Sequence, residues 1–463
     1  MARILVALIA AGLVAVPCRG DDAGANPETL IRLEIDPAPA PSPALRYLLL
    51  PELKEMKPGN PIFNYFKCSM EQESFFFDKE AFERRERLLA MPLKELPTQD
   101  LQEYGRSVLI QADRAARLDK PDWQILEKLK TDGFNLLLPD VQQMRALGRA
   151  LQVRFRSEVA MGRFDDAIRT AQTMFAMSRH LGEHPTIIGD LVGIAIAATA
   201  IGPLEEMLGQ PGCPNLYWAL TNLPVPLIPL RTGVEGERTI VLAEFRDLDD
   251  ARPMDPAQIA KFIAHMDMIL SGDPATKLDK GLRGWLDSRI KDQPMVAAAR
   301  GRLASGGLPE DRLRRFPPEQ VLLLDERREY EVRRDDVMKL MTLPFWVAEA
   351  QEARAAEVKR PPALFAEALL SSMKAVRRAQ ARIDQRIALL RHVEALRLHA
   401  AEHGGELPAN LTEVSVPMPD DPVTGKPFRY ERIGASSHVR GSPPAGAEKD
   451  PFFNVHYVLT VRK

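Results

Sequence analysis

Residues 144–208 constrain this chain more than any other stretch. They read MRALGRALQVRFRSEVAMGRFDDAIRTAQTMFAMSRHLGEHPTIIGDLVGIAIAATAIGPLEEML. Leu147, Leu151, Phe155 and Val159 recur at steps of four, which lays one apolar stripe along a helix. Gly162 ends that helix, Phe164 folds back on it, and Ala167 is small enough for a close helix crossing, so the spacing predicts a helical hairpin. A third helix, from about residue 186, carries Gly189, Gly193 and Ala197 along one edge, where another backbone can approach. Its uncharged part, 191–201, is shorter than the roughly 20 residues of a membrane span, so it reads as a core helix. Other helices must cover these three, and a mainly α fold follows.

The turn 162–167 resembles the middle of a tetratricopeptide unit. It departs from that pattern at Phe155, where a small residue is wanted, and at Arg179, where a proline is wanted; a lone copy does not make a stacked array.

At the start, MARILVALIAAGLVAVPCRG places Arg3 before 13 apolar residues, 4–16, and small residues at Cys18 and Gly20, the pattern of an export leader. The expected location is periplasmic or extracellular, by cleavage or with the leader kept as an anchor, and no stable span is expected once it is removed. Basic and acidic residues nearly balance, 62 against 64, which gives no basic surface for nucleic acid. Beyond the leader only Cys68 and Cys213 remain, and an exported chain either pairs them or buries both as thiols.

In order, the chain divides into the leader (1–20), a helical segment with a proline-rich lead (21–140), a central helical core with a proline-rich crossover (141–358), a long helix or two in line (359–403) and a small β module (404–463). The crossover, 215–231, holds Pro224, Pro226 and Pro229 beside Tyr217 and Trp218 and reads as an extended connection laid over the core. Residues 300–318 carry five arginines interrupted by Glu310 and Asp311, a solvated connector. The last 60 residues change character: strand-like alternation at 428–433 and 455–462 flanks turn-forming Gly and Pro, which predicts a small antiparallel appendix.

ALRYLLLPEL with PGN, AARLDKPDW and NLYWALTNLPVPLIPLR resemble a family of uncharacterised exported proteins of the kind found in planctomycetes. That likeness implies a class and no activity. Leu407, Pro408, Pro419, Asp421, Pro422, Gly425, Pro427, Phe428 and Tyr430 resemble the globular end of type II secretion major pseudopilins. The likeness covers only about the last 70 residues; pilins carry a membrane helix at the chain start, here separated from the tail by more than 350 others, so filament assembly does not follow from it.

HxxEH occurs twice, as His180, Glu183, His184 and as His399, Glu402, His403. Two histidines four apart on a regular helix can reach one zinc ion while the glutamate activates its water. Gly182 and Pro185 end the helix at the first copy, and Gly404 and Gly405 abut the second, so His399, Glu402 and His403, with His392 on the same face, are the weak metal candidates. Ser371 and Lys374 form an SxxK without its partner motifs, Asp420 and Asp421 offer paired oxygens to calcium in a turn, and GxSxG, phosphate-loop and GxGxxG patterns are absent. The expectation is an exported helical scaffold that binds a protein partner of the cell envelope, with no cofactor and no assigned catalytic residue. The alternatives are an HxxEH zinc hydrolase and an accessory of a secretion or pilus-like system.

Overall fold

The computed structural model describes residues 28–270, 278, 280–358 and 360–462. The expected leader, 1–20, lies outside them. The chain is mainly helical with one small sheet. Strand β1 (Thr29–Ile35) is followed by the proline-rich lead and then by helices α1 (Pro61–Glu71), α2 (Arg106–Ala115), α3 (Pro139–Ala160), α4 (Phe164–Leu181), α5 (Ile187–Leu208), α6 (Arg231–Glu244), α7 (Pro318–Met338) and α8 (Met373–Glu402), among shorter ones. Strands β2 (Arg429–Ile433), β3 (Ser436–Arg440) and β4 (Val455–Val461) close the chain.

The predicted hairpin is α3 and α4. Gly162 turns the chain at φ 68°, where a Cβ is disfavoured, and Asp165 and Asp166 complement the positive start of α4. Thr186 caps α5 through its hydroxyl, which accepts from Gly189 N at 3.2 Å. A Cβ on Gly193 would stand 2.7 Å from the Ser178 carbonyl oxygen, so the small edge of α5 is pressed on α4 as its spacing predicts. At 22 residues α5 is long and apolar enough to cross a membrane, and 83% of its apolar window is buried inside the protein against α3, α4 and α8.

A second core, built from 241–330 and 363–369, lies beside the first, and α6 joins them with Val234 in one and Val241 in the other. The final helical stretch is two helices in line, Leu364–Leu370 and α8. The connector at 300–318 is more ordered than expected: Arg300 and Arg302 lie on the helix Gln293–Ser305, and Arg302 pairs with Asp325 at 2.6 Å. The crossover likewise contains the short helix Tyr217–Thr221. Beyond it Leu227 and Ile228 are buried, with Leu227 N donating to Asp384 at 3.0 Å and Gln380 donating to the Ile228 carbonyl at 2.7 Å.

The sheet differs from the expected antiparallel appendix in one strand. Its order is β1-β4-β3-β2: the last three strands are antiparallel as predicted, but β1 pairs with β4 in parallel, Thr29 opposite Val455 and Ile35 opposite Val461. The sheet is therefore mixed, and its first strand, Thr29–Ile35, comes from the segment expected to be helical. Ile31, Leu33 and Ile35 alternate along TLIRLEI, and pairing covers the β4 edge that a three-stranded appendix would expose.

Buried ion pairs fasten sheet to helices. Arg397 and Glu394 on α8 have wholly buried side chains and meet at 2.9 Å. Arg397 also donates to the carbonyls of Cys213 and Asp36, and Glu394 accepts from Leu216 N. Arg386 of α8 and the Tyr457 hydroxyl of β4 share the Glu205 carboxylate of α5. Each polar group taken from water thus finds several partners, the condition for a buried charge to be tolerated.

Candidate functional site

Gly182 decides the geometry of the first HxxEH. It caps the end of α4, so His180 belongs to the last helical turn while His184 lies in the following turn. His180 Nδ1 sits 2.9 Å from the Tyr65 hydroxyl, and the His180 carbonyl accepts from Trp123 Nε1 at 3.1 Å. Burial first, and Arg179 second, push the His180 imidazole down to about 4. His184 is wholly buried, with Nδ1 2.8 Å from the Thr186 hydroxyl and its ring edge-on to Trp123 at 4.7 Å. Glu183 accepts from the Thr232 hydroxyl of α6 at 3.4 Å. These contacts lock the α4–α5 turn onto α1, α6 and Trp123, and they direct the two imidazoles to different partners.

Beside that turn lies a residue that the motif search passed over. Asp190, on α5, is 0% exposed, and neither carboxylate oxygen has a hydrogen-bond partner. A Cβ on Gly233 of α6 would stand 2.0 Å from Asp190 Oδ2, and one on Gly236 would stand 2.0 Å from the Pro185 carbonyl oxygen, so α6 presses its glycine face onto this corner. Burial, then the charges of Glu237 and Glu183, hold the Asp190 carboxyl far above the usual carboxylate range. An ionised carboxylate without a donor is too costly to bury, and the group is a neutral acid. Asp190 was legible only as a charge at the edge of an apolar run.

The second HxxEH lies where α8 ends. Its rings are close: His399 and His403 stack at 3.9 Å between centroids, 11° from parallel. His403 Nδ1 donates to the His399 carbonyl at 2.8 Å, which turns it along the helix axis, and Glu402 accepts from Ser415 at 3.2 Å. Burial, then the neighbouring His403 ring, lower the affinity of His399 for a proton. His392 is buried against Phe428, with Nδ1 on the Ala388 carbonyl, and burial pushes it down to about 4. The motif therefore gives a stacked pair with its glutamate engaged elsewhere. Among the described residues no three His, Cys, Asp or Glu side chains gather around one point that could hold a metal ion.

The remaining motifs resolve in the same way. Ser371 donates to the Ala368 carbonyl, whereas Lys374 faces Glu352 at 3.7 Å. Asp421 is buried and accepts from Gln385, Val423 N and Ser442 N, so its oxygens pin the turn to α8 and β3 rather than calcium; Asp420 is exposed. Cys68 and Cys213 are free and buried, and burial pushes both thiols up to about 12. A polar cleft of about 360 Å³ opens beside Arg246, Asp247, Asp249 and Arg327, and a narrow crevice of about 60 Å³ separates the two cores near Phe134, Glu237 and Tyr330. The crevice is far below the roughly 300 Å³ of a ligand pocket.

The chain matches no protein family, no curated protein and no solved structure.

Surface hydrophobicity stands out instead at α1. Ile62, Tyr65 and Cys68 face the core, while Phe63 and Met70, two turns apart, remain 65% and 72% exposed. Phe77 and Phe82, on the next two helices, are exposed as well. These are four large exposed apolar residues within 20 positions of sequence, on three successive helices.

Proposed function

We propose that this protein is an exported scaffold that docks a protein partner of the cell envelope through the outer face of α1. The exposure of Phe63 and Met70 carries this reading, because both are large apolar side chains turned to water on a helix whose other face is already buried. The histidines and carboxylates of the two HxxEH motifs are engaged in fastening turns, which favours the scaffold over a zinc hydrolase. Export rests on the leader composition, and two deeply buried thiols with raised proton affinity suit an oxidising compartment without a disulfide. Membership of the uncharacterised exported family, and of the pseudopilin-like class for the last 60 residues, belongs to the same proposal.

The test places a photocrosslinking residue at position 63, or at exposed Glu235 as a control, and irradiates intact cells after confirming by fractionation that the protein has left the cytoplasm. One discrete adduct from position 63, absent from position 235 and lost when Met70 is changed to Ser, supports the reading. Adducts equal at both positions, or none, contradict it, as does retention in the cytoplasm. A crosslink to a pseudopilin would identify the partner as a secretion apparatus.

A further inference from the structure

The outer face of the sheet brings together two imidazoles far in sequence from both HxxEH motifs. On the antiparallel pair β3–β4, His438 lies opposite Val458 and Arg440 opposite His456, so the two histidines are diagonal neighbours on one face. His438 Nδ1 stands 2.9 Å from His456 Nε2. The other nitrogen of His456, Nδ1, stands 3.0 Å from Glu28 Oε1, just ahead of β1. The Glu28 carboxylate lies close to Nδ1 but off the line of a hydrogen bond, so its charge favours a proton on that side of the ring and a lone pair on Nε2. The His456 ring is buried and held in place, whereas His438 is half-buried and reaches solvent. Arg440, opposite His456, pairs with Glu28 at 3.4 Å and Glu431 at 3.7 Å.

We propose that His438 and His456 form a two-histidine site for a divalent copper or nickel ion, with Glu28 as the outer carboxylate and water in the remaining positions. Nitrogens about 2.05 Å from a metal lie about 2.9 Å apart when they subtend a right angle and about 3.3 Å apart at a tetrahedral angle. The present 2.9 Å is the N–H···N hydrogen bond between the rings, so loading needs little change in spacing; two imidazoles completed by water suit a tetragonal copper ion, which also binds nitrogen sites more tightly than zinc. Before loading, one proton lies between the two nitrogens. On loading, His438 carries that proton on Nε2 instead of Nδ1 and turns its half-buried ring so that both nitrogens face the ion, with no net proton release.

Titrating copper(II) into the full-length protein tests this, followed by calorimetry and by the nitrogen splitting of the copper resonance spectrum. One ion per chain with two nitrogen ligands is expected, with zinc binding more weakly. His438→Ala, or His438→Gln where a polar replacement folds better, should remove the site. Glu28→Gln should weaken it by about 10- to 100-fold, and His403→Ala should leave it unchanged. No saturable binding to the parent protein, binding that survives both His438 variants, or binding lost in His403→Ala would overturn the proposal.

Discussion

At the scale of single residues, Asp190 is the clearest consequence of how this core is closed. Its carboxyl keeps a proton in the folded protein that the unfolded chain releases near the ordinary value of about 3.9. Folding therefore takes up a proton between that value and the raised one. Stability is greatest at the acid side of this window and falls as pH rises through it, by up to about 1.4 kcal/mol per pH unit. Asp190→Asn should remove this slope, so denaturant midpoints at pH 8 should favour the variant and those at pH 4 should not. A parallel pair of pH profiles would show that the carboxyl is ionised and paired. Arg397 is the opposite case, a buried charge with every donor placed. Arg397→Met leaves Glu394 buried without its cation and should cost about 3–5 kcal/mol, whereas Arg397→Met combined with Glu394→Gln should recover much of that loss. Urea denaturation of the two variants measures the difference.

At the scale of elements, the helices were legible because their signals are local. The four-residue stripe ending at Gly162 and the glycine edge of α5 each need only a few neighbouring residues, and both are found where the spacing puts them. Gly193→Ala should cost about 1–3 kcal/mol, read from thermal melts, because the new methyl meets the Ser178 carbonyl rather than a movable side chain. Strand β1 was missed because seven residues of alternation gain meaning only from β4, more than 400 positions away. The site was legible in the same uneven way. The helix end at Gly182, inside the first HxxEH, lies where the sequence puts it, but nothing in the sequence places His438 beside His456, or leaves Asp190 without a partner.

At the scale of the whole molecule, the two ends of the described chain complete one sheet, and Glu205, Asp36, Arg397 and Arg462 bind that sheet to the helical core. Arg462 pairs with Asp36 at 2.8 Å and donates to the Gly209 carbonyl just beyond α5. Removing residues through Ile35 should therefore act as a core lesion, uncovering the β4 edge and costing about 4 kcal/mol for the apolar side chains returned to water. Such a truncation should melt earlier and aggregate. The two proposals rest on surfaces of this unit: the exposed face of α1 and the outer face of the sheet. The central claim is that helices and sheet form one cooperative unit fastened by its own ionisable groups. Amide hydrogen exchange resolved along the chain tests it most directly. The account predicts that the amides pairing β1 with β4 exchange in the same slow class as those of α5 and α8; exchange of β1 within seconds while α5 and α8 stay protected would contradict it.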